Sequence, residues 1–206
     1  MTSVALTTDI GADLAHFLEL EREASRPYGA FVYGTDALHA TVHEDLLEGG
    51  AAEFSPPEGR LAVVDDQVVG MMAALSGATL KRRRLQAAYR IARSAFTVLD
   101  PDLPSRIRLA ARTLLQPRDD DVYVSRIAVA PAARRRGVAA AMLEAILEEA
   151  RAVGAPRCVL EVAPENAAAV ALYERHGFVR AALRSVTEPR TGRALSYFHM
   201  VCTRGA

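Results

Sequence analysis

The residues best placed to do chemistry lie between Tyr123 and Val153, in the run YVSRIAVAPAARRRGVAAAMLEAILEEARAV. A mostly apolar strand pattern ends at Pro131, and Arg134, Arg135 and Arg136 make a basic turn. Gly137 then opens a helical pattern whose apolar stripe is Val138, Met142, Leu143, Ile146 and Leu147. First-turn amides of a helix have no partners within it, and together with the helix dipole they favour a phosphate. Glycine at 137 lets the backbone approach a bulky pyrophosphate. Ala139 keeps the next exposed position small, and the arginines add charge. A solvated basic turn would use the same residues, and a lone glycine does not decide. Neither a Walker loop nor G-x-G-x-x-G is present.

Other reactive side chains give weaker signals. His39 and His43 are four apart and share a helical face, but no third metal ligand presents itself in the sequence, so surface or cleft histidines are expected. His16 lies on the first helix, His176 near a helix C-terminus where a capping donor is favoured, and His199 on the last strand as a packing or edge residue. Cys158 and Cys202 match no metal spacing or disulfide framework and are expected as buried free thiols. Nothing requires a metal.

The elements that must position these groups can be read from periodicity. Asp9 to about Ala24 suits an amphipathic helix with Ile10, Leu14, Phe17, Leu18 and Glu21 on one side, broken by Arg26-Pro27-Tyr28-Gly29. A second helix is expected from Asp36, as N-cap, to Gly49-Gly50. Leu61–Val64 and Val68–Leu75 flank Asp65-Asp66-Gln67 as strand, turn and strand. Two helical patterns follow, about Leu80–Phe96 and Pro104–Leu115, joined by Leu99 to Pro104. Strand Val122–Val129, helix Arg134–Val153, strand Arg157–Val162 and helix Glu165–His176 come next. Two final strand patterns turn at Gly192. Alternating strand and helix in the C-terminal half predicts an α/β domain.

The 206 residues are about one domain with an elaboration, and 25 basic against 25 acidic side chains leave no net charge to favour nucleic acid. Runs such as Val68–Leu75 are too short for the roughly 20 residues a membrane span needs. The opening MTSVALTTDIGADLAHF lacks the basic and apolar regions of a secretion signal, so a reducing cytoplasm is the expected compartment.

Two motifs in register give the chain a family resemblance. Arg134-Arg135-Arg136-Gly137-Val138-Ala139, after Ile127-Ala128-Val129 and Pro131, resembles the pyrophosphate loop of the GNAT superfamily of N-acetyltransferases. Leu160-Glu161-Val162-Ala163-Pro164-Glu165-Asn166 and the run Ala169 to Phe178 resemble that family's next strand, helix and Gly-Phe turn. The clear resemblance covers about Val122–Val179, with a weaker match to the two N-terminal helices and first hairpin.

The resemblance implies an α/β (α+β) fold with a central mixed, twisted sheet, helices on both faces, and a splayed parallel pair formed by Val122–Val129 and Arg157–Val162. It implies acetyl-CoA as cosubstrate, its pantetheine arm filling the splay. Ile127, Ala128 and Val129 would then face the arm, with Val129 offering main-chain groups, Arg134, Arg135, Arg136, Gly137, Val138 and Ala139 holding the pyrophosphate, and Asn166 touching the arm. Tyr173 is implied as general acid to the departing thiolate, since a phenol is protonated at neutral pH. Glu161 is implied as base for the amine, with an ordered water or a purely structural carboxylate as alternatives.

One domain over 1–206 is expected, with a helical insertion at about 76–118 that departs from compact members of the family. It could lid the acceptor cleft, shape substrate choice or contact a second copy in a homodimer. Lys81 to Arg84 would be its exposed face. The implied activity is transfer of an acetyl group to a primary amine of a small molecule or peptide, with neither nucleic acid nor membrane as partner. A non-catalytic acyl-CoA-binding or sensing module of the same fold is the alternative, and a scaffold for a partner protein a weaker third.

Overall fold

The computed structural model describes residues 4–11, 13–93 and 100–203. The elements run β1 (Ala5–Thr7), α1 (Leu14–Ala24), α2 (Arg26–Val32), α3 (Asp36–Glu48), β2 (Gly59–Val64), β3 (Gln67–Ser76), α4 (Gly77–Arg93) and α5 (Leu103–Ala110). They continue with β4 (Val122–Val129), α6 (Val138–Ala152), β5 (Arg157–Val162), α7 (Ala167–Arg175), β6 (Val179–Thr187) and β7 (Ala194–Thr203). All seven strands form one mixed sheet in the order β1-β2-β3-β4-β5-β7-β6. Among the described residues no helix is long and apolar enough to cross a membrane.

Alternation along the strands sends side chains to opposite faces. Met72, Val124, Leu160 and Val162 join Val138, Met142, Leu143 and Ile146 of α6 and Val170 and Tyr173 of α7. Leu61, Met71, Ala73 and Ala128 join Phe17 and Leu20 of α1, Phe31 and Val32 of α2, and Val42 and Leu46 of α3. Each fully buried large side chain stabilises the fold by roughly 1.5–3 kcal/mol, so both helical layers are firmly attached. The sheet thus separates two compartments, α6–α7 on one side and α1 to α5 on the other.

One pairing is incomplete. β4 and β5 run parallel and meet only at Val122↔Cys158 and Tyr123↔Val159. Beyond those positions the strands diverge, each still paired on its outer side, β4 to β3 and β5 to β7. The wedge opens toward Val129 and Val162, the ends from which the chain enters the Gly137 turn and α7.

Several local expectations are corrected. Arg26 and Pro27 open α2 instead of merely breaking α1, because proline fits the first turn of a helix. The N-cap of α3 is Thr35, whose hydroxyl accepts from the Leu38 amide, so Asp36 is the first helical residue. The helix expected over Leu80–Phe96 runs Gly77–Arg93; Ala95 and Phe96 at its expected end, and Leu99 of the connection, lie outside the described residues. On this helix Leu85 is exposed, whereas Leu80 and Ile91 are buried.

Candidate active site

The turn before α6 is shaped for close approach. Arg135 and Gly137 both adopt left-handed backbone, at φ 61° and 84°. Such a conformation costs a non-glycine residue roughly 1–2 kcal/mol. Gly137 is the N-cap of α6 and supplies no side-chain acceptor, so the first-turn amides of Val138 and Ala139 are left for an external partner. A Cβ built at Gly137 would meet nothing within 4 Å. The glycine is therefore not demanded by packing inside the chain; the turn needs its φ, and the space over it is open. Arg135 and Arg136 are exposed beside it. Arg134 folds back instead, its Nε donating to the Val129 carbonyl at 3.1 Å while its guanidinium pairs with Glu23 on α1. Ile127 and Val129 pack toward the α6 side, and Ala128 is buried on the opposite face.

Asn166 and Tyr173 come from α7. Asn166 is its N-cap, and its Oδ1 accepts from the Ala169 amide at 3.1 Å. At the other end Gly177, at φ 86°, lets the Phe178 amide reach the Tyr173 carbonyl, which turns Phe178 back under the helix. The rings of Tyr173 and Phe178 lie 5.7 Å apart. Burial alone pushes the Tyr173 phenol up to about 12, and it has no hydrogen-bond partner among the described residues. His176 caps α7 as expected, by a 2.8 Å contact from Nδ1 to the Leu172 carbonyl.

Glu161 lies across the sheet from Tyr173. It faces a cavity of about 310 Å³ bounded by α1, α3, α4 and α5 and floored by β4, β5 and β7. One Glu161 oxygen accepts from the Leu115 amide, with the Tyr123 phenol also beside it. Burial pushes this carboxyl up, and Arg84 and the two hydrogen bonds only partly offset the effect. Glu53 behaves oppositely. Burial raises it, but Arg84 and Arg126 more than compensate and hold it below its ordinary range. Tyr28, Tyr33, Phe54, Tyr123 and Tyr197 give the cavity aromatic walls.

The expected helical insertion builds much of this cavity: Arg84, Ala87, Ala88 and Ile91 of α4 and Ile107 of α5 line it. Arg84 therefore departs from the exposed basic face expected for Lys81 to Arg84, since it turns inward to Glu53 and the Leu115 carbonyl. His199 fastens the same segment to the sheet through the Thr113 carbonyl, 2.7 Å away.

The histidine pair is corrected as well. His39 and His43 are buried, and Glu21 is the third group, all three offering ligand atoms within 4.8 Å of one another. The other Glu21 oxygen is held at 2.9 Å by the Arg126 guanidinium, a cation already in place. Glu21, Glu53, Arg84 and Arg126 escaped sequence reasoning. The available signal was a charged residue inside an apolar pattern, Glu21 beside Phe17 and Leu20, or Arg126 within the strand YVSRIAV.

Comparison with known proteins agrees with this architecture. The family model described as "Acetyltransferase (GNAT) family" matches residues 17–178. An Escherichia coli K12 relative, the ribosomal protein bS18-alanine N-acetyltransferase, is 38% identical over 84 residues, 41% of this chain and 57% of the relative. The chain therefore aligns to little more than half of that relative's length. Among solved structures, an N-acetyltransferase from Staphylococcus aureus Mu50 superposes with TM-score 0.62 at 18% identity, over 97% of this chain and 99% of that one. A Bacillus subtilis acetyltransferase in complex with CoA gives 0.54 at 12% identity, over 99% of each chain. At these identities the structural likeness establishes the fold.

Proposed function

Starting from the fact that this chain belongs to the GNAT family of acetyltransferases, we propose that it moves an acetyl group from acetyl-CoA to the primary amine of a small molecule. The observation that carries this reading is the wedge between β4 and β5, which opens onto the Gly137 turn. Unpaired inner edges of two strands are costly unless something hydrogen-bonds to them. A pantetheine arm supplies amide groups of the right kind, and the turn supplies amides, open space and arginines for the pyrophosphate. Arg134 leaves the Val129 carbonyl when the arm docks, which frees its charge for the phosphates. Asn166 retains its Nδ2 for the arm while its Oδ1 caps α7.

The amine attacks the thioester from the α1–α5 side, where the cavity lies. Glu161 accepts the proton released by the attacking nitrogen, and Tyr173, on the α6–α7 side, gives its proton to the departing thiolate. The position of Tyr173 in an apolar layer keeps it protonated at any working pH. A small acceptor is favoured over a protein terminus because α4 and α5 wall the cavity and limit it to about 310 Å³, at the lower end of the 300–1,000 Å³ range of small-molecule pockets. In this reading 1–206 is one domain, and 76–118 is the insertion that sets acceptor size.

Calorimetric titration with acetyl-CoA, CoA and a longer acyl-CoA tests the proposal. Saturable binding that Gly137→Glu removes supports it, followed by thiol release with an amine panel. A folded protein that binds none of the three would overturn it.

A further inference from the structure

The acceptor cavity contains a carboxylate–imidazole pair that the mechanism above leaves unused. Glu21 projects from the buried face of α1, and its Oε2 lies 2.5 Å from Nδ1 of His43 on α3. Its Oε1 accepts from Nε of Arg126 on β4. Burial pushes the Glu21 carboxyl up, but His43 and Arg126 outweigh burial and hold it at about 2, so it is ionised wherever the enzyme works. An ionised carboxylate only accepts hydrogen bonds, so Nδ1 of His43 is the donor. In a neutral imidazole this leaves the lone pair on Nε2. His43 lines the cavity, and no hydrogen bond engages its Nε2 among the described residues.

The ring cannot easily turn away. It packs T-shaped against His39 and Tyr33, with centroids 4.3 and 5.7 Å apart, and tilted at 43° against Phe54 at 5.3 Å. His39 is itself anchored by the Ser25 hydroxyl at 3.1 Å. The titratable and charged groups around His43 are Glu21 from α1, His39 from α3, Tyr33 after α2 and Arg126 from β4. Across the cavity stand Tyr28, Glu53, Arg84, Tyr123, Glu161 and Tyr197.

An alkylamine reaches such a site as an ammonium ion, since its pKa resembles the roughly 10.4 of lysine. It must lose one proton before it can attack and a second from the tetrahedral adduct. We infer that Nε2 of His43 removes the first of these protons from an alkylammonium acceptor, with Glu21 as its positioning residue. The N–H bond of the ammonium breaks, an Nε2–H bond forms, and the resulting imidazolium is stabilised against the Glu21 carboxylate. The second proton, taken from the adduct by Glu161, is balanced by the proton that ends on the CoA sulfur. His43 returns the first to solvent, so the overall reaction releases one proton. This assignment rests on the acetyl transfer proposed above and names its acceptor class as strongly basic alkylamines.

Two amines of similar shape separate this role from a structural one. 2-Phenylethylamine is an ammonium ion at pH 7, whereas O-benzylhydroxylamine is neutral there, and both suit a ring-lined cavity. In His43→Gln, kcat/KM for 2-phenylethylamine at pH 7 should fall about 100-fold, in the usual range for losing a general base. It should recover as the pH is raised to 9. For O-benzylhydroxylamine the change should stay under about threefold, with acetyl-CoA affinity retained. Equal losses on both amines, or no loss on either, would overturn the inference. Wild-type protein that binds acetyl-CoA but releases thiol with neither amine overturns it together with the proposed acceptor class; wild-type protein that binds no acetyl-CoA marks failure of the underlying reading. Should His43→Gln not fold, nitrogen NMR of labelled imidazole in the intact chain decides. In its neutral form His43 must carry its proton on Nδ1 and none on Nε2, and the opposite tautomer sinks the idea.

Discussion

At Tyr173 and Gly137 the fold and the proposed chemistry ask for different things, and substitutions can separate them. Tyr173→Phe keeps the ring that packs on Phe178 and removes only a phenol without a protein partner among the described residues. Its thermal midpoint should stay within a degree or two and acetyl-CoA affinity should hold, while kcat falls about 100-fold or more, as expected for loss of a general acid. Unchanged turnover across the pH range would remove that assignment. Gly137 offers the converse experiment. A Cβ there touches nothing in the chain, so Gly137→Ala should cost only the left-handed backbone strain, about 1–2 kcal/mol by chemical denaturation. Its acetyl-CoA affinity should fall by more than that stability loss predicts. If both variants at 137 bind acetyl-CoA normally, the open space over the turn serves no phosphate.

Among the elements, α4 and α5 most clearly individualise this chain. Ala87 faces the cavity from α4, so Ala87→Phe should raise the acceptor KM tenfold or more and leave acetyl-CoA binding alone. Steady-state kinetics with each substrate varied in turn would check it. Arg84 ties the same helix to Glu53. Arg84→Met should destabilise the protein, but by less than the roughly 3–5 kcal/mol of a fully stranded buried charge, since Glu53 keeps Arg126 and the Ser125 hydroxyl; denaturant unfolding measures it. The strand, the Gly137 turn and the start of α6 were legible in the sequence because their determinants are local: all three lie within Val122–Val153, so spacing alone orders them. The cavity was not legible, because Glu21, His43, Arg84 and Arg126 come from α1, α3, α4 and β4 and converge only after the sheet has formed. Periodicity located α1 and α3 and even placed Glu21 on an apolar face, yet it cannot say which helix faces which. Similarly, a basic run read as solvated concealed Arg84, because a run contains residues on every side of a helix.

For the molecule as a whole, the buried polar cluster ties stability to pH. Burial, and then His43, push His39 down to about 4, so its unfolded form binds a proton at a higher pH than the folded form. Stability from this group is complete above the ordinary pKa of about 6.5 and is lost as pH falls toward 4. Glu21, held at about 2, adds stability above the ordinary pKa of about 4.3 that disappears as pH falls toward 2. Each shift corresponds to something on the order of 3 kcal/mol. Melting temperature should therefore drop in two stages on acidification, and His39→Gln should flatten the first. A curve for His39→Gln that matches the wild type between pH 6.5 and 4.5 would contradict the assignment. The unpaired inner edges of β4 and β5 have a different consequence for the whole chain. Two half-sheets paired directly at only two positions among the described residues would report on occupancy of the wedge: acetyl-CoA lying there as proposed would fasten both halves and be lost when either unfolds. At a hundredfold excess over its Kd such a ligand adds about 2.7 kcal/mol to stability. Resistance to heat and proteolysis would then follow the supply of acyl donor, and starved protein would be cleared faster than protein at work.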